Sequence, residues 1–308
     1  MNRSLAALLF LPAVACAAPV PKVVDKTKLL VTAGDGTIML MNPDGTDAQV
    51  VHKGSNDEHA YQAWLSPDRK RFAYFYEQKP GGAQGKEFLA VKEIGGEQTS
   101  KVEMPLLYHL FWATDGKSLL GSGRMKKGES GTWQNWRLDP ETGKRTALDL
   151  PAECMVLAAV PKSDHIACLQ VTTLANKGGI GARRYELVTT DPDRFEPTTV
   201  LEDAGTFHPS AVFPDGKRYF ELSCGEVRTF SAGDKAPKGW DYSAGGTRLY
   251  RGAAALAPNG KRMAYSERVI EMRGKGPDRW NLWTCEPDGG GDAKVIEVEG
   301  GIHHIDWR

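Results

Sequence analysis

The sequence lacks the features of an integral membrane protein and of a nucleic-acid-binding protein. It has no run of the ~18 apolar residues that a membrane-spanning helix needs. It also has no excess charge, because 39 Lys and Arg are balanced by 39 Asp and Glu. A balanced charge argues against a nucleic-acid partner. We therefore expect neither a transmembrane span nor a nucleic-acid ligand.

Catalytic and metal-binding signatures are also missing. There is no G-x-S-x-G nucleophile elbow, and the nearest string, Gly128-Glu129-Ser130-Gly131, has the wrong spacing. No C-x-x-C or Cys/His spacing indicates a zinc site, and the acidic turns lack the terminal Glu of a calcium loop. The sequence therefore favours a protein without enzymatic activity and without a cofactor.

Cysteine is scarce, and its five positions predict little covalent cross-linking. They are Cys16, Cys154, Cys168, Cys224 and Cys285. Only Cys154 and Cys168 are close enough in sequence to face each other across a hairpin, so a disulfide between them stays open. We favour the alternative, in which the cysteines after residue 18 are small buried hydrophobic side chains.

The N-terminus has the pattern of an export signal. Arg3 precedes an apolar run, Leu5 to Ala15, and small residues follow it. We assign residues 1–18 to a signal peptide and 19–27 to a linker, which predicts a periplasmic or extracellular protein. Val14-Ala15-Cys16 also resembles a bacterial lipobox, so lipid anchoring at Cys16 stays open beside simple cleavage.

The composition predicts many short strands joined by tight turns. The chain has 34 Gly, 18 Pro, 8 Trp and 9 Tyr, which suits strands and turns better than long helices. A box repeats along the chain: an apolar strand ending in Trp or a substitute, a Pro/Asp/Gly/Lys turn, and a second apolar strand. Its occurrences are AWLSPDRKRFAYF (63–75), FWATDGKSLLGS (111–122), AAVPKSDHIACLQ (158–170), VFPDGKRYFEL (212–222) and ALAPNGKRMAYSE (255–267).

The spacing of the box predicts an all-β, six-bladed β-propeller. Equivalent positions are Trp64, Trp112, Val160, Phe213, Ala257 and Trp307, at intervals of 48, 48, 53, 44 and 50 residues. A second hairpin lies within each period, and four antiparallel strands per ~45 residues are typical of a propeller blade. Residues 302–308 supply an innermost strand that 28–53 lacks, so we expect the two ends to pair and close the ring. The blades of the domain, 28–308, are assigned to 302–308 plus 28–53, 59–103, 107–149, 154–203, 207–250 and 252–299.

The repeated W-S-P-D-G-K-like box resembles the propeller repeat of the TolB family, a WD40-like PD40 repeat. The resemblance covers nearly the whole chain after the leader, although Val160 to Asp164 keeps only the Pro and Asp of the box. It implies a six-bladed propeller outside the cytoplasm that serves as a platform for docking proteins or binding ligands. TolB has a small α/β domain before its propeller, and we expect none between the leader and Lys28.

Histidines recur near the start of the innermost strands. His59 and His208 lie five residues before their box positions, His303 four and His109 three. Because innermost strands line the channel, their starts should meet around one mouth of it. His59, His208 and His303 are therefore candidate ligands of a divalent metal, while strand capping is the plainer alternative. His304 should point away from His303 by strand alternation.

Long loops between second and third strands open at the same mouth and carry excess positive charge. Residues 77–88, 123–136, 172–186 and 267–281 contain 12 Lys and Arg against 7 Asp and Glu. They predict a basic rim with tryptophan nearby for stacking. The residues of this basic rim are Lys126, Lys127, Trp133, Arg183, Arg184, Arg273, Lys275 and Arg279.

Two functional hypotheses follow from these patterns. The preferred one is an exported, non-enzymatic and monomeric binding propeller whose basic rim engages a protein, an acidic peptide or a charged glycan. The alternative is a metal-assisted hydrolase or lyase that uses the three histidines, with Glu58 or Asp57 as the nearest candidate base.

Overall fold

The structure of the protein is a computed structural model. It describes residues 27–55, 57–78, 86–104, 107–123, 133–174, 182–201, 211–223, 226–234, 238–241, 251–269 and 279–308. These residues form 24 strands and no helix, so none of them builds an α-helix that could cross a bilayer. The strands are arranged in six four-stranded antiparallel sheets, which are the blades of a propeller.

Each blade is a meander that runs outward from the central channel. Blade 1 contains β24 (Ile302–Trp307), β1 (Leu29–Ala33), β2 (Ile38–Met41) and β3 (Gln49–His52). Blade 2 contains β4 (His59–Leu65), β5 (Arg71–Gln78), β6 (Lys86–Glu93) and β7 (Gln98–Glu103). Blade 3 contains β8 (Leu107–Trp112), β9 (Leu119–Gly123), β10 (Gln134–Leu138) and β11 (Arg145–Ala147).

The other half of the ring is built in the same way. Blade 4 contains β12 (Cys154–Ala159), β13 (Ile166–Leu174), β14 (Ala182–Asp191) and β15 (Arg194–Leu201). Blade 5 contains β16 (Ala211–Val212), β17 (Arg218–Ser223), β18 (Glu226–Ser231) and β19 (Lys238–Asp241). Blade 6 contains β20 (Arg251–Leu256), β21 (Met263–Val269), β22 (Arg279–Cys285) and β23 (Ala293–Glu299).

The two ends of the described chain close the ring, as the sequence predicts. β24 pairs antiparallel with β1, and Leu29 lies opposite Trp307. The amide of Lys28 donates to the carbonyl of Arg308 at 2.6 Å, and the amide of Arg308 donates back at 3.0 Å. Trp307 is buried, and its Nε1 donates to Thr27 Oγ1 at 2.8 Å. The predicted fold class, with six blades and terminal strand closure, is confirmed.

The repeated box codes for the turn that follows each innermost strand. In four blades the Asp or Asn side chain accepts a hydrogen bond from the amide two residues later, as in an Asx-turn. These bonds run from Lys70 to Asp68 (3.1 Å), Lys117 to Asp115 (2.9 Å), Lys217 to Asp215 (2.9 Å) and Lys261 to Asn259 (2.9 Å). The next position adopts a positive φ of 67–68° at Gly116, Gly216 and Gly260. The turns lie at the end of the channel opposite the starts of the innermost strands.

The described cysteines behave as small buried hydrophobic side chains. Cys154, Cys168 and Cys285 are buried free thiols, and burial raises the pKa of Cys154 to about 12. Cys154 lies opposite Gln170 rather than Cys168, so the two thiols are diagonal neighbours in the sheet. Cys16 and Cys224 lie outside the described residues.

Candidate functional site

The innermost strands of all six blades enclose a central channel. It has a cavity of about 390 Å³, lined from β4, β8, β12, β16, β20 and β24. We call the end at which these strands begin the mouth. The channel is the place where side chains from every blade meet, so it is the first candidate for a ligand site.

The polar side chains of the described channel lining all lie on one side of the channel. Blades 1 to 3 contribute apolar side chains and also all of the polar ones, namely Gln62, His109, His303, His304, Asp306 and Arg308. Blades 4 to 6 contribute mostly small apolar side chains, among them Ala158, Ala159, Ala211, Ala253, Ala254 and Ala255. The channel can therefore contact a ligand through hydrogen bonds on one side and apolar surface on the other.

A β-bulge interrupts five of the six innermost strands close to the mouth. The strand register skips Tyr61 in β4, Tyr108 in β8, Leu157 in β12 and His303 in β24, and it also shifts within the first residues of β20. A bulge leaves one residue unpaired and changes the direction of its side chain. Two of the side chains affected in this way, Tyr61 and His303, lie next to each other at the mouth.

Three rings and one carboxylate form what we call the mouth cluster: His59, Tyr61, Glu77 and His303. The ring centroids of His59 and Tyr61 are 5.0 Å apart, those of His59 and His303 6.0 Å, and those of Tyr61 and His303 6.2 Å. The Tyr61 hydroxyl donates a short hydrogen bond to Glu77 Oε2. Burial and the carboxylates of Glu77 and Glu87 raise the pKa of Tyr61 well above its usual range.

The predicted meeting of His59 and His303 is therefore present, while His304 does not follow the predicted alternation. His304 also packs against blade 2: its Nδ1 accepts a hydrogen bond from the Ala63 amide at 3.4 Å, and its ring centroid lies 5.2 Å from that of Trp64. The bulge at His303 explains this arrangement, because it interrupts the alternation of side chains. Both imidazoles consequently contact the same neighbouring strand, β4.

Further polar contacts join the innermost strands below the mouth. Asp306 Oδ2 accepts a hydrogen bond from the Leu65 amide at 2.7 Å. Trp112 Nε1 donates to the carbonyl of Trp64 at 2.9 Å in a fully buried contact. These bonds satisfy backbone groups at the inner edge of β4, and they fix the position of the strand that carries His59 and Tyr61.

The candidate base Glu58 does not point to the mouth cluster. Its Oε1 accepts a hydrogen bond from the Tyr74 hydroxyl at 3.0 Å and lies 3.9 Å from His52 Nε2. His52 packs on Tyr74 with ring centroids 4.6 Å apart, between blades 1 and 2. Asp57 is exposed in the preceding loop. The carboxylate that the structure brings to the rings is Glu77, which accepts the Tyr61 hydrogen bond and which no sequence pattern singled out.

The basic rim is described only in part. Arg184 pairs with Glu186 at 3.1 Å and Arg279 with Glu297 at 3.3 Å, so both described guanidinium groups have carboxylate partners. Trp133 is partly buried against the core of blade 4. The side chains of Lys126, Lys127, Arg183, Arg273 and Lys275, and that of the metal candidate His208, lie outside the described part. Among the described residues, no group of three His, Cys, Asp or Glu side chains could hold a metal ion.

Two partly buried histidines, His52 and His304, should make the protein less stable in acid. Burial lowers the pKa of both imidazoles below the usual 6.5. The folded state then binds fewer protons than the unfolded state, so stability is complete above pH 6.5 and falls as the pH drops towards the lowered pKa values. We expect the urea midpoint to decrease between pH 7.5 and pH 5, and His304→Asn to reduce this decrease. An equal midpoint at both pH values would contradict the burial of these two imidazoles.

Comparison with known proteins gives structural relatives only. No family model and no curated protein matches the sequence. TolB from Acinetobacter baumannii superposes with a TM-score of 0.59 at 14% identity, covering 91% of this chain and 66% of that one. A candidate TolB from Agrobacterium tumefaciens gives 0.56 at 13% identity, with 89% and 90% covered. The periplasmic gluconolactonase PpgL from Pseudomonas aeruginosa gives 0.52 at 16% identity, with 91% and 98% covered.

At these identities the likeness shows a shared fold. The chain spans 66% of the length of the Acinetobacter baumannii TolB. The six-bladed architecture is thus common to the TolB structures and to this chain, while membership of the PD40 repeat family stays a prediction. The same fold carries an enzyme in the gluconolactonase, so the function has to be argued from the site.

Proposed function

We propose that this chain is an exported, non-enzymatic binding propeller that engages a protein or an anionic ligand at the channel mouth. The proposal rests on one observation: two of the second strands, β5 and β9, end at the mouth of the channel. Glu77, at the end of β5, lies opposite His59, and Ser122, at the end of β9, lies opposite His109. The long loops that follow these strands therefore start at the mouth, next to the 390 Å³ cavity.

The charge of these loops favours an anionic partner. Four of them contain 12 cationic against 7 anionic residues in a chain whose charges otherwise balance. Positive charge beside a concave opening attracts anions and increases their rate of association. Export rests on the pattern of residues 1–18, and the likeness in fold to a periplasmic gluconolactonase agrees with it.

The proposal is tested by reversing the charge of the rim. We expect a variant in which Arg183, Arg184, Arg273 and Lys275 are all changed to Glu to lose retention on immobilised poly-glutamate. The unchanged protein should elute from the same column when the salt concentration is raised, because salt screens the attraction between the charges. The matched control reverses Lys70, Lys117, Lys217 and Lys261, which lie on the turns at the opposite end of the channel. Equal retention of both variants, or equal loss in both, would contradict binding at the mouth.

Metal-assisted hydrolysis or elimination is the second candidate. One observation favours it: the His59 and His303 rings lie 6.0 Å apart at the mouth although 244 positions separate them. Two neutral imidazoles could share one divalent ion, with His208 as the predicted third ligand. Glu77, rather than Glu58, is then the carboxylate nearest to the rings. Elemental analysis of protein purified without chelator decides this candidate, and less than about a tenth of an equivalent of metal rejects it.

A further inference from the structure

We propose that the mouth cluster is a subsite for an organic cation, such as the ammonium group of a methylated amine. This subsite does not depend on the basic rim. It would take the cationic group of a ligand or of a partner side chain, whereas the rim would meet anionic groups. The subsite is built from His59, Tyr61 and His303 as rings and from Glu77 as the counter-charge.

The arrangement of the three rings suits a cation. Their centroids form a nearly equilateral triangle with sides of 5.0, 6.0 and 6.2 Å. A group centred over this triangle would lie within ~6 Å of all three rings, the range of cation–π attraction. The rings are inclined to one another at 60–68°, so they are not stacked flat on one another.

The charge near the rings has the sign that a cation requires. Glu77 accepts the hydroxyl hydrogen bond of Tyr61, and Glu87 lies opposite Glu77 on the next strand of blade 2. Burial and both carboxylates raise the pKa of Tyr61, the direction expected for negative charge beside its ring. A hydrogen bond to a carboxylate also increases the electron density of the phenol ring, which strengthens its attraction for a cation.

Access and selectivity follow from the position of the cluster. His303 is exposed and also lines the channel cavity. The bulges at Tyr61 and His303 bring both side chains to the mouth. Rings without a carboxylate would suit a neutral apolar group equally well, so the charge of the ligand is the property to test.

The test is an NMR titration of the full chain carrying ¹³C-labelled histidine and tyrosine. The probe is tetramethylammonium chloride at pH 8, and tert-butanol is its neutral counterpart of similar shape. We expect saturable shifts of His59, Tyr61 and His303 with the cation and about tenfold weaker binding of tert-butanol. Tyr61→Leu should weaken tetramethylammonium binding about tenfold, and Tyr61→Phe, which keeps the ring, should weaken it less.

Control variants separate this proposal from the proposed function. His165→Gln, in the turn at the opposite end of the channel, should not change the titration, and Tyr61→Leu should not change retention on poly-glutamate. Equal affinity for tert-butanol and tetramethylammonium would overturn the cation subsite, and so would the absence of saturation up to about 100 mM cation. If the unchanged protein does not bind poly-glutamate but gives the expected titration, only the basic rim is rejected.

Discussion

A chain that ends at Gly301 is expected not to form the folded ring. The truncation removes β24, including the buried side chains of Ile302, Ile305 and Trp307. Loss of one large buried apolar side chain costs about 2–5 kcal/mol, and a whole domain has only about 5–15 kcal/mol of stability. The truncation also exposes the paired edge of β1 and removes the contacts of β24 with β4 and β20. Circular dichroism and limited proteolysis would measure the loss.

A peptide of residues 302–308 added to the truncated chain provides the matching control. If the truncated chain fails to fold because β24 is missing, the peptide should restore protease resistance, because it can pair with β1 as an added strand. A scrambled peptide of the same composition should not restore it. A truncated chain that unfolds at the same urea concentration as the intact protein would contradict the role of the terminal strand.

Gly34→Ala is expected to produce the second largest effect. A Cβ at this position would lie 1.9 Å from the carbonyl oxygen of Gly300 and 2.4 Å from its carbonyl carbon. Both are backbone atoms, so neither can rotate away. The Gly34 amide donates to the Gly301 carbonyl at 2.8 Å, and the substitution would push apart the β1–β2 turn and the segment that leads into β24. We expect a loss of about 2–4 kcal/mol in the free energy of unfolding, measured in urea.

Gly233→Ala is the matched control for this substitution. Gly233 has a φ of 90° but nothing within 4 Å of its added Cβ. Its replacement should cost only the strain of the left-handed backbone, about 1–2 kcal/mol. If Gly34→Ala is no more destabilising than Gly233→Ala, the backbone at Gly34 does not approach the backbone at Gly300 as closely as described.

The fold could be predicted because the residues that specify its turns are close together in the sequence and recur in most blades. The box at Asp115-Gly116 forms its turn through one Asx hydrogen bond and one positive φ, and both requirements are visible in the residue types. Even the degenerate box keeps a turn: the Ser163 amide donates to the Val160 carbonyl at 3.3 Å, and Lys162, one position before the place of the glycine, has the positive φ of 62°. Closure of the ring could be predicted as well. Residues 302–308 form one innermost strand without the rest of a blade, and residues 28–53 form the rest of a blade without its innermost strand, so pairing them completes one blade.

The site could be predicted only in part, because bulges and loop directions are not local signals. The distance of His59 and His303 from their Trp positions predicted their meeting. It did not show that Tyr61 would be turned to them by a bulge, or that Glu77, on the neighbouring strand, would accept its hydroxyl hydrogen bond. Glu58 was the obvious neighbour of His59 in sequence, but Tyr74 and His52 hold it between two blades.

Ring closure places His303 beside His59 and Tyr61 at the mouth of the channel. Nuclear Overhauser contacts between their ring protons test it most directly, because no path along the chain could bring residues 59 and 303 together without the closed ring. We predict contacts from the His303 ring to both other rings, whose centroids lie 6.0 and 6.2 Å away. A folded protein that shows the contact between His59 and Tyr61 but none to His303 would contradict the account.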